Sequence, residues 1–395
     1  MSKIYPKVDK ETQIKYRKGE LGDLLKKHRD TKLNDIKSEL IDYKSKNLKL
    51  VNYLKYFNPV EELYNELTKN KKSKKSYVRL NDIDKKSSDK VSNVTVKTIA
   101  KIEMCMCKVS YITDFHFENK KIIEINRCNN RFCPMCSKIL SSYYALAYQS
   151  VVDYLIDEYK VDIYFLTLTY PNVSSNDLEK SIREDSRLLN NFLVKNKTMK
   201  KVVVGILGKL ETTYNNDRKS KSYKTYHPHY HYLIAVPKNI AKENCWMLEK
   251  DYILQRWREY KQDDSITQVD IRKLKHKNEY GIHTGVLELT KYIAKDSNYL
   301  INKDVFATFY NSLKGKRQYR PSGIFKDAIK KFKNGELNNY IKDQYVDYVY
   351  KITYSHINSN YEIKEFRDLT EEEKVIIQLS YKDSIVKQFN NSEQD

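Results

Sequence analysis

Apolar positions are sparse over the first ninety-five residues, but Leu24, Leu25, Leu33, Ile36, Leu40 and Ile41 fall near helical spacing and predict an amphipathic helix over 22–57. Residues 69–90, KNKKSKKSYVRLNDIDKKSSDK, have almost nothing to bury and read as a linker. Short strand-like segments between 96 and 136 lead into a group of cysteines. Over 138–159, Leu140, Tyr144, Ala147, Val151 and Leu155 share one side of a helix. The β-branched and aromatic run 161–173 reads as a strand that stops near Pro171, and a helix follows over 175–195. The segments 201–214 and 226–237, separated by the polar loop NNDRKSKSYKTY, predict an antiparallel hairpin. Beyond it the pattern gives a helix near 240–260, a strand over 265–275 and a helix over 285–300. The tail offers a strand, YVDYVYKITY, and a helix opened by Thr370 with Glu373 three residues on, the spacing of a capping box. This order predicts an α+β chain with a central antiparallel sheet and flanking helices. Four regions follow: a basic, mainly helical 1–95 with its linker, a cysteine-rich segment 96–138, the main domain 139–330, and a strand and helix extension 331–395.

Charge narrows the function. The 395 residues hold 73 basic against 52 acidic side chains, a formal net charge of +21. Such a surface attracts polyanions, of which nucleic acid is the commonest. Loop cations Lys221 and Lys224 precede the 226–237 strand, Lys273 and Lys275 follow the next strand, and Lys316 and Arg317 lie further on. All six are candidates for phosphate contacts, with Tyr223, Tyr226 and Tyr319 as candidate stacking platforms for unpaired bases. The amino terminus lacks the apolar core of a signal peptide, and no run approaches the roughly 20 apolar residues of a membrane span. The expected location is the cytoplasm, off the membrane, where thiols stay reduced.

Three of the eight histidines fall in YHPHYHYLIAVP. On a strand His227, His229 and His231 point one way and Tyr230 and Tyr232 the other. Imidazoles two residues apart can share a divalent ion, and the third ligand is Glu211 on the preceding strand or His227 itself. The cysteines Cys128, Cys133 and Cys136, spaced C-x4-C-x2-C, form a thiolate knuckle that suits Zn2+. A fourth ligand is available from MCMCKV: Cys107 is preferred, Cys105 is the alternate, and His116 stands third.

In ELTKYIAK a continuous helix stacks Glu288 and Tyr292 on one face, with Lys291 and Lys295 beside them and Val286, Leu289 and Ile293 turned to the core. With 34 tyrosines in the chain, packing is the default role for any one of them. The lysines, Glu288 and the histidine strand are what single out Tyr292.

The series FLTLTYPNV, HPHYHYLI and ELTKYIAKDSNYL, in that order, resembles the three motifs of HUH-type replication initiators from small rolling-circle plasmids of Gram-positive bacteria. CNNRFCPMC and LKGKRQYRPSGIFKDA are similar to further segments of that family, and the likeness covers roughly 100–330. The resemblance implies an HUH endonuclease fold and places a catalytic Mg2+ or Mn2+ at His229 and His231. Tyr292 becomes the nucleophile that joins a 5′ phosphate, and Glu288 the carboxylate that activates water or a strand end at termination. Implied partners are origin DNA as a hairpin or single strand and a host helicase and polymerase, with a homodimer left open. Two other readings compete: a single-tyrosine HUH transposase, and a non-catalytic DNA-binding regulator carrying zinc.

Overall fold

The structure is a computed structural model that describes residues 8–57, 94–240, 242–278, 280–291, 295–343 and 346–392. The linker expected over 69–90 and the nucleophile expected at Tyr292 lie outside the described residues. Nine strands are described: β1 (Lys108–Thr113), β2 (Lys120–Ile125), β3 (Val161–Thr169), β4 (Gly205–Tyr214), β5 (Tyr226–Pro237), β6 (Val269–Lys273), β7 (Tyr319–Gly323), β8 (Tyr350–Ile357) and β9 (Asn360–Asp368). The chain forms two compact units, one of 138–342 with 382–395, the other of 2–137 with 343–381.

In the first unit five strands lie in the order β6-β3-β5-β4-β7, every pair antiparallel. The histidine strand β5 is therefore the centre, between β3 and β4. Directly paired residues share a face. His231 pairs with Thr167 and Lys209, and His229 with Thr169 and Glu211, so these six side chains stand on one face. On the opposite face the Tyr230 hydroxyl donates to Asp185 Oδ2 at 2.8 Å and Lys261 Nζ lies 2.5 Å from Asp185 Oδ1. Both carboxylate oxygens are thus satisfied under the helix Leu178–Asn190.

Part of the histidine face is covered by two helices. Tyr319 of β7 packs against Tyr144 and Tyr148 of the helix Pro134–Glu158, with ring centroids 4.6 and 4.9 Å apart. The helix Thr284–Thr290 approaches β3 so closely that a Cβ on Gly285 would stand 2.4 Å from Leu274 Cδ2 and 3.2 Å from Phe165 Cβ. Glycine is therefore required there for contact rather than for backbone freedom.

In the second unit the order is β2-β1-β8-β9, again antiparallel. The long helix Gly22–Phe57 buries Ile36, Leu40, Lys44, Asn47, Leu50, Val51 and Leu54. Leu24, Leu25 and Ile41, expected on the buried stripe, are exposed. The stripe runs through positions 36, 40, 44, 47, 51 and 54, steps of three and four, and Ile41 stands one residue beyond Leu40. Tyr350, Tyr354 and Tyr361 of β8 and β9 are buried and donate to the carbonyls of Gln13, Leu33 and Met106 at 2.9, 3.1 and 2.8 Å. The Thr370 capping box forms as expected, with the Glu373 N–H donating to Thr370 Oγ1 and the Thr370 N–H to the Glu373 carboxylate.

Candidate active site and cysteine centre

Alternation along β5 and the register of β4 build the histidine site. His231 Nε2 lies 3.2 Å from Glu211 Oε2, and His231 Nδ1 lies 3.1 Å from Thr167 Oγ1. The Phe165 ring stacks on His231 at 5.6 Å, fixing the imidazole plane. His229 Nε2 lies 2.9 Å from His227 Nδ1. Burial first, then the neighbouring His227, pushes His229 down to about 4, so its imidazole is neutral at pH 7. Burial likewise lowers His227. Burial would raise Glu211, but the hydrogen bond with His231 above all holds it below the usual carboxylate range.

Neutral imidazoles beside an ionised carboxylate are the donor set a divalent ion such as Mn2+ takes. A Thr167 hydroxyl on the far nitrogen is the kind of outer contact that orients a ligating histidine. The histidines do not yet converge, since His229 is turned toward His227. Among the described residues, three or more donors lie within 4.8 Å of one another only in the cysteine group.

The helix expected over 285–300 is two helices, Thr284–Thr290 and Asp296–Tyr299. Thr290 Oγ1 turns back to the carbonyls of Val286 and Leu287 at 2.9 and 3.2 Å, and Lys291 leaves helical geometry at ψ 170°. The helix that bears Glu288 therefore ends at Thr290. Val286 and Leu289 are buried as expected, Glu288 pairs with Lys291, and Lys295 is exposed just before the second helix.

The basic residues fall into different places. Lys221 and Lys224 are exposed in the loop before β5, with Lys224 Nζ over the Tyr223 ring at 5.3 Å. Lys275 and Arg317 are exposed as well. Lys273 pairs with Tyr164 in the β3–β6 register and so stands on the face opposite the histidines, bound to Asp162 at 2.6 Å. Lys316 lies 3.6 Å from Glu179. Tyr226 and Tyr319, expected as stacking platforms, are core residues at 2% and 7% exposure.

Sequence reasoning missed Lys209. It is 2% exposed on the histidine face, and burial pushes its ammonium down to about 7 against the pull of Glu211 and Glu288. The signal was present, because Lys209 and Glu211 alternate on a strand that must pair with the histidines.

The cysteine centre lies in the second unit. Cys105 Sγ is 3.7 Å from Cys133 Sγ and 3.6 Å from Cys136 Sγ, and Cys128 Sγ is 3.6 Å from Cys136 Sγ. Zinc–sulfur bonds of about 2.3 Å place tetrahedral sulfurs about 3.8 Å apart, so these spacings fit Zn2+. Hydrogen bonds from Cys128, Cys133 and Cys136 pull the Cys105 thiol far down, while contact with Cys105 first of all pushes Cys128 and Cys133 up. The group favours one thiolate and resists more unless a cation enters.

Cys105 fills the position expected of Cys107. The two do not alternate on a strand: Met106 between them has φ 67°, and β1 starts only at Lys108. That left-handed residue turns Cys107 away from the group. Its Sγ instead accepts from Lys44 Nζ at 3.5 Å, and the same ammonium donates to the carbonyls of Glu103 and Cys105 at 2.6 and 2.8 Å. Lys44 thus staples the knuckle to the long helix.

The sequence profile of a replication protein family, Rep_1, matches residues 119–364. The chain belongs to this replication protein family. Protein rep of Staphylococcus aureus is 36% identical over 204 residues, spanning 51% of this chain and 84% of that protein. Protein rep of Streptococcus pneumoniae is 32% identical over 219 residues, spanning 54% and 65% respectively. A third Protein rep, from a Bacillus species, is 28% identical over 262 residues and 82% covered. No solved structure matches. The match agrees with the resemblance in the motifs: this replication protein is a plasmid initiator of the rolling-circle type, a role that implies DNA as its partner. Among its described residues no helix is long and apolar enough to cross a membrane.

Proposed function

We propose that this initiator is an HUH site-specific DNA endonuclease and strand transferase. The observation that carries the reading is that Glu211, His229 and His231 share one face of adjacent strands in a chain of this family. A divalent ion held by these three would polarise the scissile phosphate. Glu211 is preferred to His227 as third ligand because it already meets His231 from the neighbouring strand.

The Tyr292 oxygen attacks phosphorus and gives up its proton, the P–O3′ bond breaks, and the 3′ oxygen takes a proton. The protein is left on the 5′ phosphate and a 3′ hydroxyl is free for a host polymerase, with a host helicase opening the duplex. Lys291 and Lys295 flank the nucleophile in sequence and favour its anion. Glu288 takes a proton from water or from a returning strand end, releasing the finished circle. The cysteine centre, with Zn2+ bound, holds the β1 approach rigid. The work takes place in the cytoplasm.

The test is incubation with Mn2+ and single-stranded DNA carrying candidate origin sequence, followed by denaturing electrophoresis. A covalent protein–DNA conjugate is expected from the wild type and none from Tyr292→Phe. A conjugate from the variant would reject the nucleophile. DNA binding with no conjugate from either would mark a non-catalytic regulator.

A further inference from the structure

Two lysines among the described residues are buried, Lys44 and Lys209. They differ in what they meet. Lys44 donates to two carbonyls and a sulfur. The nearly buried Lys261 likewise meets the Asp185 carboxylate at 2.5 Å. For Lys209 no hydrogen bond and no carboxylate within 4.0 Å is found among the described residues, and its ammonium lies 5.5 Å from the Tyr319 ring.

A buried cation with a ring face beside it but no hydrogen bond and no carboxylate is costly, and a chain keeps one only where something compensates. The register fixes where this one sits: opposite His231 on one side and Tyr319 on the other, two residues from Glu211, on the face that carries the proposed ligands. We propose that Lys209 is a phosphate-binding residue whose ammonium receives a non-bridging oxygen of the DNA strand at the histidine face. The inference rests on the nuclease reading for the identity of the strand, but the contact itself is made before any bond breaks. A divalent ion at Glu211 would add positive charge beside Lys209. An anion entering between them relieves both, so the site is organised around a negative group that the protein itself does not supply.

The test uses Lys209→Met, which keeps the stem and removes the charge. Thermal melting comes first: the proposal requires the variant to melt above wild type, because a buried charge without a hydrogen bond or carboxylate has been replaced by an apolar group. A lower melting temperature would mean that the ammonium is structural and would overturn it. Next, a fluorescent single-stranded oligonucleotide of mixed sequence is titrated in EDTA against Tyr292→Phe with and without Lys209→Met. The slope of log affinity against log salt should flatten by about 0.7, the value of one single-strand phosphate contact. An unchanged slope overturns the contact. In the wild-type background the conjugate should form at least about a hundred-fold more slowly, and an unchanged rate likewise overturns it. If wild type forms no conjugate, the nuclease reading fails, while melting and salt slope still decide Lys209.

Discussion

Glu211 stands directly across the strand pair from His229, yet its carboxylate meets His231, two residues further along β5. Its backbone is thus registered with one histidine and its carboxylate with the other. Glu211→Ala should weaken Mn2+ binding, measured by calorimetry, by at least about ten-fold. Equal affinity would exclude Glu211 as the third ligand and return the choice to His227.

Thr167 reaches the outer nitrogen of His231 without touching the inner one. Thr167→Val keeps the shape and removes the hydroxyl. Metal affinity should fall by about ten-fold while the melting temperature stays within a degree or two of wild type. A large drop in melting temperature with unchanged affinity would show that the threonine serves packing alone.

The cysteine geometry separates two neighbours. Cys105→Ser should abolish zinc retention, measured by metal analysis after gel filtration, and Cys107→Ser should leave it intact. Cobalt substitution gives a second readout, since thiolate charge-transfer absorption should survive only in the Cys107 variant. The reverse pattern would mean that the knuckle closes through Cys107.

Gly285 lies where the helix bearing Glu288 meets β3. Gly285→Ala should cost about 1–3 kcal/mol by overpacking against Leu274 and Phe165. Release of the finished circle should suffer along with stability, because Glu288 moves with the helix. Denaturant unfolding that matches wild type would show that the helix shifts freely.

Arg367 donates to both Glu373 oxygens at 2.6 Å, and this contact first of all holds the Glu373 carboxyl down at about 2. The folded value lies below the ordinary 4.5, so the stabilisation is complete above pH 4.5 and is lost as pH falls from there toward 2. Glu373→Gln keeps the capping amide geometry and drops the charge. Its melting curve against pH should lie below wild type above pH 4.5 and converge with it toward pH 2. Parallel curves would remove the ion pair from acid stability.

The features legible in the sequence are those fixed by neighbours along the chain. The β5 face follows from strand alternation at His227, His229 and His231, and the cap at Thr370 from a three-residue spacing. Features set by a single dihedral or by distant pairing were not legible. The left-handed turn at Met106 exchanges Cys105 for Cys107, and the hydroxyl of Thr290 marks where the helix stops. The burial of Lys209 needs the β4–β7 pairing, and the place of Lys273 on the far face needs the β3–β6 register.

The pairing of β1 with β8 joins segments from opposite ends of the chain. As the nascent polypeptide leaves the ribosome, every strand of the histidine sheet emerges before β8 does. The sheet that begins earlier in translation is therefore completed last, and until then the outer edge of β1 is an open template for strand addition. A message truncated before Tyr350 would encode the histidine sheet in full and leave that edge of β1 without its partner strand.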